Sequence, residues 1–340
     1  MRRLMTVVFL MIIFSTLSFA GDVARKGTTG ADQLLIPVGA RGIATAGAFV
    51  SNLTGLEAIY YNPAGLDIVP RSEGMFSYMS YIADINISYF AVSTSLGDIG
   101  SVGLSFKTFD IGQIAVTTAD APDGTGAMYS PSFLTGTLTY SKVITDRVSI
   151  GVNAKVISET IMATTATGFA LDFGVQYRFA KDIAIGAVVK NIGTNMRYTG
   201  QDLQVKTGIP QSQPGSPSGS YEATSEEFQI PSYFGLSASY NYDINSTNNI
   251  LVGGTFVNNN SFEDELKLGL EYGFAKTFFI RGGYNLLTKN TSTSNYGVTF
   301  GAGLDYEFTD GLGVVFDYAF RDVKDFPTSN HIFTVKLILQ

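Results

Sequence analysis

The chain has no cysteine and a single histidine, His331, in 340 residues. The first absence excludes disulfides, thiolate metal sites and a lipid-anchored N-terminus. With only one histidine, no zinc site and no nucleophile–base–acid set can be assembled. His331 stands at the start of the last strand candidate and reads as an interface residue. Charge is also scarce, with Asp, Glu, Lys and Arg at 15%, below the usual quarter. What charge there is leans acidic, 29 Asp+Glu against 22 Lys+Arg for a net of -7, which argues against nucleic acid as a partner. Beyond the first twenty residues no apolar run reaches the roughly 20 residues of a spanning helix. The glycine pairs Gly301-Ala302-Gly303 and Gly311-Leu312-Gly313 fall within alternating segments and are not phosphate loops. Residues 120–126 lack the ligand spacing of a calcium loop. No catalytic residue, metal or cofactor is expected.

What is present begins with an export signal. Arg2 and Arg3 precede an apolar stretch over residues 4–17, and Ser18-Phe19-Ala20 is a small-x-small cleavage site. Cleavage there would bring the net charge to about -9. The chain is rich in glycine (37), tyrosine (18) and phenylalanine (25). Residues 295–308 alternate strictly, with Tyr296, Val298, Phe300, Ala302, Leu304, Tyr306 and Phe308 on one face. Residues 168–179 and 265–274 do the same, and period-2 alternation over this length is the signal of a tilted membrane-crossing strand. Repeatedly such a segment ends in an aromatic pair spaced by one residue before a tight polar turn: Tyr177/Phe179, Tyr240/Tyr242, Tyr272/Phe274 and Tyr306/Phe308, with Leu138/Tyr140 a weaker copy. Rings gathered at one level beside short turns describe an interfacial girdle.

These features predict an all-β fold, a transmembrane antiparallel β-barrel of about 14 strands with an N-terminal plug or hatch. The division is a signal peptide over residues 1–20, a hatch over 21–70 and the barrel over 71–340. The apolar faces should meet outer-membrane lipid. The polar faces should line the lumen, with Lys107, Lys155, Asp172, Arg178, Lys267, Glu271, Arg281, Asp305, Glu307 and Asp317 directed inward. Mixed signs favour pairing across the lumen or from wall to hatch over an open selective pore. Residues 41–50 read as a short helix rich in small residues. Residues 73–82 and 86–96, the first two strand candidates, alternate least regularly and are the expected place for a wall defect. Residues 195–229, with Pro210, Pro214 and Pro217, read as a long outer loop.

Two stretches are recognisable. Gly27-Thr28-Thr29-Gly30-Ala31-Asp32-Gln33-Leu34-Leu35-Ile36-Pro37-Val38-Gly39-Ala40-Arg41-Gly42 is followed by Glu57-Ala58-Ile59-Tyr60-Tyr61-Asn62-Pro63-Ala64-Gly65-Leu66. Together they resemble the N-terminal signature of the PorV/PorQ family of outer-membrane proteins, and residues 330–337 look like that family's closing strand. The resemblance implies a hatch motif formed by Asn62, Pro63, Ala64 and Gly65 with Gly39, Arg41 and Gly42. It also implies a role in type IX-like secretion at the outer membrane of a Gram-negative-type cell, with C-terminal domains of secreted cargo and other secretion components as partners. Asn62-Pro63-Ala64 is also similar to a tripeptide in the hatch of FadL long-chain fatty-acid transporters. That likeness implies the alternative, a passive channel for hydrophobic small molecules. From chemistry alone, Pro63 pushes Asn62 toward extended backbone and Gly65 tolerates a turn, so Asn62–Gly65 is either a hatch anchor or simply a turn feeding the first strand.

Overall fold

The computed structural model describes residues 27–179, 182–208, 213, 218–288, 296–308, 311–324 and 326–339. The export signal, the three loop prolines and parts of several turns lie outside the described residues. The rest forms a closed barrel of 14 antiparallel strands. In chain order these are β1 Ser72–Ser80, β2 Asn86–Ser95, β3 Ser101–Asp110, β4 Ser132–Thr145, β5 Val148–Ile161, β6 Thr164–Arg178 and β7 Ile183–Gly193. They continue with β8 Tyr233–Asp243, β9 Asn248–Asn259, β10 Glu265–Phe274, β11 Phe278–Leu287, β12 Tyr296–Glu307, β13 Leu312–Val323 and β14 Asn330–Leu339. Each strand pairs with its sequence neighbours, and β14 returns to β1 from Ser72↔Leu339 to Ser80↔His331, so no sheet edge is left open.

The faces are inverted relative to a water-soluble sheet. Leu268 is 42% exposed, Phe173 48% and Phe300 50%, whereas Asp172, next to Phe173 in sequence, and Asn153 and Thr139 on the two strands before it are fully enclosed. Period-2 geometry forces this choice on whole strands at once. An apolar exterior around a polar interior is the solution for a barrel in lipid.

The two ends differ. Connections at residues 96–100, 146–147, 179–182, 244–247, 275–277 and 308–311 sit at the end that holds the start of β1 and the end of β14. The opposite end carries the longer connections, residues 111–131 and 194–232 above all, each with its own small hairpin: Ile114–Ala115 with Met128–Tyr129, and Gln204–Gly208 with Ser218–Glu222. The aromatic pairs line the short-turn end on the outside. Tyr177 and Phe179 meet edge to face at 4.9 Å, as do Tyr306 and Phe308. His331 faces outward at the long-loop end, where its Nδ1 lies 2.9 Å from the Tyr318 hydroxyl.

Inside the barrel, residues 27–70 fold as short pieces. A 3-10 turn, Asp32–Leu35, precedes helix α1, Ala40–Ala44. Helix α2, Leu56–Tyr61, runs into a second 3-10 turn, Pro63–Gly65. The helix expected over residues 41–50 is thus a single turn, because Ala46 (φ 53°) and Gly47 (φ 75°) turn the backbone left-handed.

The wall irregularity is not where the alternation placed it. β1 and β2 pair without a break from Glu73↔Ser93 to Ser80↔Asn86. Instead the register shifts in other ladders: β4–β5 between Val143 and Thr145, β12–β13 between Tyr296 and Thr299, and β6–β7, which jumps between Leu171↔Ile192 and Phe173↔Val189. Asn191 bulges there at φ 59°, and its N–H donates to Asp172 Oδ1 at 2.8 Å. A buried carboxylate that needs donors outweighs the regular ladder at this point.

Candidate functional site

The hatch is fastened by the inward polar groups of the wall. Its carbonyls cannot reach water, and each needs a donor. Thr299 Oγ1 donates to Ala44 O at 2.9 Å, and Thr255 Oγ1 to Ala48 O at 2.9 Å. Gln176 Nε2 donates to Val50 O and Leu53 O at 3.2 and 3.1 Å, and Asn153 Nδ2 to Ile59 O at 2.8 Å. Ser51 and Ser239 pair through their hydroxyls at 2.9 Å.

The motif residues lie against the wall. Asn62 is fully buried in extended backbone. Its Oδ1 accepts from Ala64 N, while its Nδ2 donates to Val50 O at 3.1 Å and Val175 O at 3.2 Å. Ser141 and Ser149 donate to Ala64 O. Asn62-Pro63-Ala64 fits a notch formed by Gly151 on β5 and Gly174 on β6, which face each other across the ladder. A Cβ on either glycine would overlap the tripeptide. Gly65 packs on Leu53 O, and Gly42 on the Tyr61 ring. Gly39 starts α1 at φ 81°, next to the Glu57 carboxyl.

Of the residues expected to face the lumen, Lys107, Lys155, Asp172, Glu271, Arg281 and Asp317 are buried inside. Lys155 Nζ meets Asp172 Oδ2 at 2.6 Å. Arg281 bridges Glu271 at 2.6 Å and Asp317 at 2.5 Å. Arg41 reaches from the hatch to grip both oxygens of Glu271 at 2.9 Å each. Lys267 and Arg178 are half-buried and line cavities, and Asp305 is half-buried. Glu307 has inward parity but is exposed, because it ends β12 at the short-turn rim, beyond the hatch.

Of two residues that the sequence did not single out, one completes the fastening. Lys190, 0% exposed, donates from Nζ to Tyr60 O at 2.5 Å and stands 3.7 Å from the Tyr60 ring centroid. Lys107 Nζ reaches Gln33 O at 2.7 Å and Ile36 O at 3.0 Å, 5.1 Å from the same ring. Tyr60 is therefore held between two ammonium groups. The other overlooked residue is Glu57 on α2. It is 2% exposed, and neither carboxylate oxygen takes a hydrogen bond.

Two cavities flank the hatch. The larger, about 710 Å³, opens toward the long-loop end. One side of it is largely apolar and aromatic, with Ile36, Ile43, Ile85, Phe109, Phe133, Tyr81 and Tyr296, although Arg321 lies 4.1 Å from the Tyr296 ring and Glu159 also lines the cavity. The other side carries Glu263, Glu265, Lys267 and Asn285. The smaller, about 310 Å³, lies at the short-turn end between Arg41, Asn52, Arg178 and Asn249. Residues 41–52 of the hatch line both, with Ile43, Gly47 and Val50 facing the larger and Arg41 and Asn52 the smaller.

The barrel has counterparts of like fold among solved structures. The CymD monoaromatic hydrocarbon channel aligns over 90% of this chain and 98% of its own at a TM-score of 0.57 and 11% identity. A FadL homologue from Pseudomonas aeruginosa aligns over 89% and 98%, at 0.56 and 13%. The Pseudomonas putida toluene transporter TodX aligns over 89% and 96%, at 0.56 and 11%. The fold is theirs. In sequence, the outer membrane protein beta-barrel domain family matches residues 213–338. No curated protein matches the chain.

Proposed function

We propose that this protein is a passive outer-membrane channel for hydrophobic small molecules. The observation that carries this reading is the cavity of about 710 Å³, aromatic on one side and closed below by a hatch. Its size and lining suit a small apolar ligand. The long-loop end then faces outward, and the short turns and both chain ends face the periplasm, in keeping with the export signal over residues 1–20. The PorV/PorQ resemblance implied secretion. The solved structures of like fold include a named hydrocarbon channel and a toluene transporter, and these support uptake as the reading carried forward.

The test is flux. Liposomes containing the purified barrel should take up a monoaromatic hydrocarbon faster than protein-free liposomes, and deletion should slow uptake by cells while secreted proteins still reach the medium. Equal flux with and without protein, together with retention of secreted proteins in the deletion strain, would reject the channel and support secretion.

A further inference from the structure

Glu57 is the one group of the hatch whose burial has no compensation in hydrogen bonds on either carboxylate oxygen. It stands in the first turn of α2, on the short-turn half of the hatch. The charged groups around it are Arg41 from α1, Arg281 from β11, Asp317 from β13 and Lys336 from β14. Behind them Glu271 on β10 holds Arg41 and Arg281, and Arg281 also holds Asp317. Glu73 on β1 accepts from Leu56 N at 2.8 Å, at the foot of the same helix. The buried Tyr61 and Tyr89 hydroxyls take no hydrogen bond either. Both guanidinium groups are thus committed to other acids, and Lys336 makes no ion pair with Glu57. The segment between Gly39 and Gly55 is flanked by left-handed backbone at both glycines, φ 81° and 67°, which gives it natural hinge points.

We propose that Glu57 is a proton-operated seat for the hatch: the protonated carboxyl lets the segment from residue 39 to 55 stay docked, and loss of the proton releases it. The opening of a route between the two cavities rests on the channel reading, but the docking equilibrium does not.

The sign follows from burial. Enclosure raises the Glu57 carboxyl above its ordinary value, with Asp317 adding to the effect and Lys336, Arg41 and Arg281 opposing it. A released hatch returns the carboxyl to water and to the ordinary range near about 4.3. Below that range both states hold the proton and docking is at full strength. As pH rises past it, the released state ionises first and docking weakens. The weakening ends once the seated carboxyl itself ionises.

Hydrogen exchange of the full chain in liposomes, corrected for intrinsic rates, reads this directly. Each unit by which docking raises the group changes the open population about tenfold. Protection of residues 39–53 should therefore fall between about pH 4.5 and pH 8. Glu57→Gln should keep the low-pH protection at both. Unchanged wild-type protection, or an equal response in Glu57→Gln, overturns the proposal. If Glu57→Gln does not fold, the wild type is compared with Ser51→Cys/Ser239→Cys, whose disulfide should erase the response. A response that survives the disulfide also overturns it. Protection that responds to pH without any hydrocarbon flux would reject the channel reading and leave the seat standing. Flux with constant protection would do the reverse.

Discussion

Toward the long loops the hatch hangs from two wall lysines, Lys107 and Lys190, which bind its carbonyls and the Tyr60 ring and make no ion pair with an acid among the described residues. Toward the short turns it is tied by Arg41 into a chain of acids and guanidinium groups that runs through Glu271 and Arg281 to Asp317. The lysine-held half has neutral acceptors. The other half holds carboxylates whose charge is compensated only while every member keeps its partner. One half is held through carbonyls and a ring, the other through carboxylates.

Substitutions can break this contrast. Glu271→Ala leaves the half-buried Arg41 and the buried Arg281 without their shared acid, and should cost about 3 kcal/mol in denaturant unfolding of the detergent-solubilised barrel. Leu268→Arg, which touches neither half, calibrates the wall itself. A charge placed in hydrocarbon near the midplane should cost about 2–4 kcal/mol, while Lys267→Gln on the inner face should cost far less. Comparable losses at both positions would contradict the assignment of faces. Lys190→Met leaves the Tyr60 carbonyl without its donor, for about 1–3 kcal/mol. A loss as large as that of Glu271→Ala would erase the distinction between the halves. The smallest effect is expected from Ser51→Ala, about 1 kcal/mol for one hydroxyl pair.

The barrel was legible in the sequence because strand period and lipid agree. Every second residue from Tyr296 to Phe308 had to face one solvent, and the aromatic ends named that solvent. The pairings within the lumen were legible only as a mixture of signs. Nothing local marks Glu271 as the acid for Arg41, which lies on a separate segment far away in sequence. Lys190 escaped notice because it bonds a carbonyl and a ring, and neither partner leaves a trace in spacing. Glu57 stood inside a recognised stretch, yet its isolation exists only once the barrel encloses it. Irregular alternation in β1 and β2 marks contact with the hatch and not the wall defect it suggests, whereas β7 bends to serve Asp172.

The facing glycines Gly151 and Gly174 carry a consequence for how the molecule is made. Their strands supply no side chain at that level, and Asn62 and Pro63 take up the space instead. The vessel is therefore cast around its stopper. A barrel produced without its first seventy residues should be an unfinished object with a thin place in its side, and not an emptied pipe.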